Sequence, residues 1–212
     1  RGRYYEPNGK IESFLSDVAK IDPASKDIRI CILRGGNSSG KSALGVNIAA
    51  YLQQRQPNPY FDRIPYLRNF KRKNRGRFYT TATAAKENYQ DEFEKWFPRG
   101  KWTGLKEGHP YFKKVRFQSG SMFDIFTFDQ MPKQGESITL SWAIVDEPMS
   151  HKHWGALISR LRFGGIIFIL MTPLEGAGWY HDALEIPGRL GQDVIAARVR
   201  TEDNCIQQGV RG

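Results

Sequence analysis

The chain has 212 residues, 40% of them apolar, and only two cysteines, Cys31 and Cys205. That is material for one substantial core, and too little cysteine for a disulfide framework or a metal cluster. Its formal net charge of +10 attracts polyanions, nucleic acid foremost, and its longest apolar run, 164–171, is too short to cross a bilayer.

No signal-peptide pattern opens the sequence, so a soluble intracellular protein is expected. The chain starts on Arg1 and ends in CIQQGVRG, and is expected to be a piece of something longer. In chain order, 11–19 (IESFLSDVA) reads as a helix and 28–34 (IRICILR) as a first strand that buries Cys31 as a small hydrophobe. Residues 41–54 place Leu44, Ile48 and Leu52 on one helical stripe. The β-branched and aromatic run 78–83 (FYTTAT) predicts a second strand, and 87–96 a helix. Residues 115–117 and 122–128 flank QSGS as a hairpin. Two buried strands, 138–145 and 165–171, enclose a helical stretch, 150–163, and 194–199 reads as the last strand. This alternation predicts a single α/β domain over 1–212, with a mostly parallel central sheet between two helical layers. The four histidines, including His151 and His153, lack Cys or acidic companions at metal-site spacing.

The segment that follows the first strand carries the chemistry. Gly35, Gly36, Asn37, Ser38, Ser39, Gly40, Lys41 and Ser42 fit a phosphate-binding loop, two glycines separated by four residues and followed by Lys and Ser. Glycines let backbone N–H groups turn inward around phosphates, and the next helix points its positive end at them. Lys41 is placed to reach the β- and γ-phosphates of ATP and Ser42 to bind Mg²⁺. A loop between strand and helix favours this over a flexible Gly/Ser linker.

Such a loop needs a carboxylate at the tip of a buried strand, and WAIVDEP supplies Asp146 for Mg²⁺ and Glu147 to accept a proton from the attacking water. The loop and this tip are expected to converge from adjacent strands. The strand 165–171 ends at Thr172, whose hydroxyl would sense the γ-phosphate; a turn-initiating Thr-Pro with Pro173 is the alternative. A water-activating Glu, with FYTTAT between the loop and the acidic pair, favours the motor-type, RecA-like (ASCE) branch of phosphate-loop NTPases over small-molecule kinases.

Five stretches, YYEPNGKIESFL, GGNSSGKSALG, TFDQ, WAIVDEP and LRFGGIIFILMTPLEGAGW, stand in the order found in one family. Over about residues 4 to 205 the chain resembles the ATPase domain of the large terminase subunit of tailed bacteriophages, and TEDN resembles the passage out of that domain. The resemblance implies Mg²⁺-dependent ATP hydrolysis coupled to translocation of double-stranded DNA during viral genome packaging. It implies a homo-oligomeric ring on a portal protein, a small terminase subunit as partner, the host cell cytoplasm as location and no membrane. Residues 35–42 would be the phosphate loop, Asp146 the magnesium residue, Glu147 the catalytic carboxylate and Thr172 the coupling residue. Residues 4–12 would lie by the adenine, with Glu12 where many relatives carry Gln.

The chain departs from that pattern at Asn37, Ser38 and Ser39, where many terminases place an arginine. Arg160 and Arg162 are the candidates to replace it, inserted into the next subunit of a ring, with Arg34 a weaker option; ordinary helix-surface arginines are the alternative. No acidic cluster follows Thr172, so the family's C-terminal nuclease is expected to be absent. The basic stretches 67–77 and 97–116 are expected to be surface loops, either tracking DNA phosphates irrespective of sequence or simply solvated. A helicase- or recombinase-like ATPase, and a nucleotide-regulated DNA-binding module with little hydrolysis, are the rival readings.

Overall fold

The computed structural model describes residues 5–132, 138–172, 178–184 and 194–203. Among the described residues eight strands form one sheet: β1 (Ile28–Gly35), β2 (Arg75–Thr80), β3 (Trp102–Leu105), β4 (Lys114–Phe117), β5 (Met122–Thr127), β6 (Trp142–Asp146), β7 (Gly165–Met171) and β8 (Val194–Val199). Their spatial order is β3-β4-β5-β2-β6-β7-β1-β8. The six strands from β5 to β8 run parallel, while β4 pairs antiparallel with β5 and β3 with β4.

Alternation along the central strands divides the core in two. Ile144, Phe168 and Leu170 face one cluster, together with side chains of α1 (Gly9–Val18), α2 (Lys41–Gln54) and α5 (Gln90–Trp96). Val145, Ile167, Ile169 and Met171 face the other, under α6 (His151–Arg160) and α7 (Gly178–Leu184). The sheet therefore lies between two helical layers, and its central strands are apolar on both faces, as parallel strands covered on both sides must be.

Several expected boundaries move. The strand expected at 78–83 is β2, which ends at Thr80 because the Thr81 hydroxyl accepts from Ala84 N at 3.1 Å and caps α4 (Ala82–Ala84). A π-helical turn, Ala85–Tyr89, joins α4 to α5, so helix begins five residues before Glu87. The strand expected from 138 starts at Trp142, since Leu140 N donates to Arg160 O instead of entering the ladder. Residues 97–116 are not a surface loop: they contain β3 and the start of β4, with Trp102 packed on Phe97 and Phe112 at 5.4 and 5.8 Å. The expected hairpin about QSGS is the β4–β5 pair. The short helix α3 (Pro65–Arg68) ends inside the first basic stretch. Finally, β1 and β6 are not adjacent; β7 stands between them.

Candidate functional site

At the end of β1, Gly35 lies opposite Val199 of β8, and a Cβ there would fall 2.5 Å from Val199 Cγ1. The chain then reverses through positive φ at Ser38 (61°) and Gly40 (88°), Gly40 being the residue before α2. Two distant segments hold this loop. Thr201 Oγ1 donates to Asn37 O at 2.9 Å, and Asn8 Nδ2 donates to Ser39 O at 3.4 Å. Lys41 opens α2 and folds back over the loop, its ammonium donating to Gly35 O (2.8 Å), Gly36 O (2.7 Å) and Ser39 Oγ (3.3 Å). Burial lowers the Lys41 pKa, while the Glu147 and Asp146 carboxylates oppose the shift. The lysine and both acids thus share one field, although β7 separates their strands.

Alternation puts Asp146 on the sheet face that carries α2, in phase with Trp142 and Ile144. It is 7% exposed, and Thr80 Oγ1 donates to its Oδ2 at 3.2 Å. Burial raises its carboxyl to about 6, with the Glu147 charge adding to the rise and Tyr89, Thr80 and Lys41 opposing it. Strict alternation would send the next side chain, Glu147, to the opposite face. Instead Glu147 adopts φ 76°, a left-handed conformation that costs a non-glycine residue on the order of 1 kcal/mol. The turn brings its carboxylate back beside the tip of β7, where Thr172 Oγ1 donates to Oε1 at 3.0 Å and Thr172 N to Oε2 at 3.4 Å. Loop, lysine, both acids and Thr172 therefore meet at the C-terminal ends of β1, β6 and β7.

The arginines do not join them. Arg160 ends α6 and Arg162 follows it, its Nη2 donating to Thr139 Oγ1 at 3.3 Å. Both lie where the chain enters β6 and β7, the opposite end of the sheet from the 35–42 loop. Arg34 stands directly before the loop, its neighbours across the sheet being Met171 and Arg198. Glu12 faces Arg63 at 3.4 Å on the surface, and it is Asn8 that touches the loop. Tyr4, Pro173 and Cys205 lie outside the described residues, and Cys31 is a buried free thiol. Among the described residues no group of three or more His, Cys, Asp or Glu is arranged to hold a metal; His153 is engaged by Ser150 and Gln130.

The first basic stretch divides. Arg68, Lys71, Arg72 and Lys73 are exposed, whereas Arg75 and the buried Arg77 pair with Asp124 at 3.3 and 3.2 Å. These two arginines share a cleft of about 410 Å³ with Lys113 and Lys114 of the second stretch.

Four residues of the site escaped the sequence reading: Thr80, Tyr89, Asn8 and Thr201. Thr80 had a partial signal, as one of the hydroxyls in the β-branched run read as the second strand. Asn8 had one as well, an N-cap ahead of an apolar helix, its Oδ1 accepting from Ile11 N at 2.9 Å. Tyr89 and Thr201 had none, because a π turn and a pairing across more than 160 residues leave no local pattern.

No protein-family model and no curated protein matches the sequence. Solved structures do match it in fold. The large terminase from the thermophilic bacteriophage D6E superposes with a TM-score of 0.61 at 15% identity, over 98% of this chain and 51% of that one. The same protein in complex with ADP gives 0.63 at 14% identity, over 95% of this chain and 47% of that one. Its complex with ATP-γ-S gives 0.59 at 13% identity, over 94% and 46%. The chain shares the fold of those terminases and spans about half their length.

Proposed function

We propose that this chain is the ATP-hydrolysing part of a bacteriophage large-terminase motor, a phosphate-loop NTPase of the RecA-like (ASCE) branch that couples hydrolysis to translocation of double-stranded DNA. The observation that carries the reading is the meeting of a glycine loop, a buried lysine and two carboxylates at one end of the sheet. The shared fold supports it, since the D6E terminase has been solved with ADP and with ATP-γ-S.

The residues present fit a magnesium ion. Asp146 is a buried carboxylate whose charge burial penalises, and the Tyr89 hydroxyl, which faces Asp146 and Ser42, makes no hydrogen bond of ordinary length among the described residues. One carboxylate and the Ser42 hydroxyl suit a cation that keeps water and phosphate oxygens as its remaining ligands. When bound, the ion neutralises charge on the β- and γ-phosphates. Loop N–H groups hold the phosphates, and Lys41 exchanges the Gly35 and Gly36 carbonyls for phosphate oxygens. Glu147 accepts a proton from the attacking water, with Thr172 fixing its carboxylate through both Oγ1 and N–H. As the γ-phosphate leaves, that pair transmits the change along β7.

The charge that develops during phosphoryl transfer is met in trans, by Arg160 and Arg162 of the preceding subunit in a ring assembled on a portal protein. The exposed cations Arg68, Lys71, Arg72 and Lys73 contact DNA phosphates without reading sequence. The small terminase subunit is the remaining partner, and the host cell cytoplasm the site of action.

Steady-state hydrolysis with and without duplex DNA tests the reading, with Glu147→Gln as the decisive variant. It should lose turnover by at least about a hundredfold while keeping ATP affinity. Near-normal hydrolysis in that variant would remove Glu147 from the chemistry, and absence of hydrolysis in the parent chain with duplex present would favour the DNA-binding module.

A further inference from the structure

We propose that Tyr89 completes the magnesium site, its hydroxyl hydrogen-bonding to a water of the hydrated cation beside Ser42 and Asp146. The inference rests on the nucleotide site proposed above. Tyr89 closes the π-helical turn between α4 and α5 and is 1% exposed. Its ring is held by Phe78 and Phe93, with centroids 4.6 and 5.9 Å away. Those neighbours would pack a phenylalanine equally well, so packing does not account for the hydroxyl. Among the described residues the buried oxygen makes no hydrogen bond of ordinary length, yet it lies near enough to the Asp146 carboxylate and the Ser42 hydroxyl to bear on the Asp146 charge.

A buried polar atom in this condition signals a ligand or a stored cost. Asp146 already accepts from Thr80 on Oδ2, and Ser42 stands at the start of α2. The phenol therefore faces the two side chains that would hold the cation, and magnesium retains much of its hydration shell when protein-bound. The π turn is what aims it. One extra residue per turn shifts the helix phase, and such insertions concentrate at functional sites. Tyr89 is a positioning residue here: it orders the ion's water and leaves the reacting atoms to Glu147 and Lys41.

Calorimetric titration of the chain with ADP, once in excess Mg²⁺ and once in EDTA, tests this in the parent protein and in Tyr89→Phe. Loss of one hydrogen bond to the charged centre should shrink the Mg²⁺-dependent gain in ADP affinity by about tenfold. Affinity in EDTA should stay the same. Near pH 4, where Asp146 is uncharged, the melting temperature of the nucleotide-free variant should be unchanged or higher, because a buried hydroxyl without an ordinary hydrogen bond has been removed. A full Mg²⁺-dependent gain in Tyr89→Phe would overturn the proposal. So would a fall in both affinities together with a lower melting temperature, which is the signature of packing alone. If the parent chain shows no Mg²⁺-dependent gain, the nucleotide-site reading falls first and this inference with it.

Discussion

Asp146 is buried between Thr80 and Tyr89, and its carboxyl is raised from an ordinary 3.8 to about 6, chiefly by burial. Its folded pKa lies above its unfolded one, so the folded state binds the extra proton between those values. The group then costs nothing below about pH 4, and stability falls as pH rises through 6. At pH 8 the charged Asp146 should cost about 3 kcal/mol. Asp146→Asn, which still accepts from Thr80, should recover that amount at pH 8 and nothing near pH 4. Melting curves of nucleotide-free protein across this range check it, and a gain independent of pH would place the cause elsewhere. A residue that destabilises the empty protein in this way is one whose presence function explains better than folding. Its type and place at a strand tip were legible in WAIVDEP. The environment that lifts its pKa was not, because Thr80 and Tyr89 come from another part of the chain. Likewise the order Asp-Glu was plain, while the left-handed turn that brings Glu147 back to the same side had no signal in its own side chain.

At the scale of elements, the pairing of β2 with β6 sets where that tip lies. Gly76 stands opposite Trp142, and a Cβ on it would fall 1.9 Å from the indole Cε2. The indole is fully buried, and its Nε1 donates to Asn74 Oδ1 at 2.8 Å. Gly76→Ala should therefore separate the two strands or displace the ring, costing about 3 kcal/mol, measured as a lower urea midpoint at unchanged slope. A loss under half a kcal/mol would show that Trp142 moves freely. Helix α2 was read with its observed ends, and β7 and β8 likewise, because each couples a long apolar pattern to clear boundaries. FYTTAT overran by three residues because β-branched residues suit a strand and an N-cap alike, and only the Thr81–Ala84 bond decides between them. β3 was missed because it is an edge strand of mixed exposure, with Gly104 within it and no alternation to read.

Over the whole molecule, the sheet separates two ends. The loop, lysine and carboxylates gather where β1, β6 and β7 finish, and Arg160 and Arg162 stand where β6 and β7 begin. Strands of five to eight residues put roughly 15–25 Å between these ends, so neither arginine serves its own subunit's site. A catalytic role for either arginine therefore requires a neighbour. Arg160→Ala and Arg162→Ala should each leave ATP affinity unchanged but lower hydrolysis by the assembled motor, about a thousandfold for the finger itself. Rings mixed with a Glu147→Gln subunit, which keeps its arginines, should regain activity. Full rates in both single variants would end the hypothesis.

The sequence by itself determined the α/β alternation, the loop at the end of the first strand and the acidic pair after WAIV. Each is a local pattern of spacing or apolar period, and such patterns are carried by neighbouring residues. Tertiary structure alone decided that β7 stands between the two functional strands, that Thr80, Thr172 and Tyr89 close around the carboxylates, and that the arginines face away. Those outcomes depend on strand order and on the phase of a π turn, which are settled by packing among residues far apart in the chain.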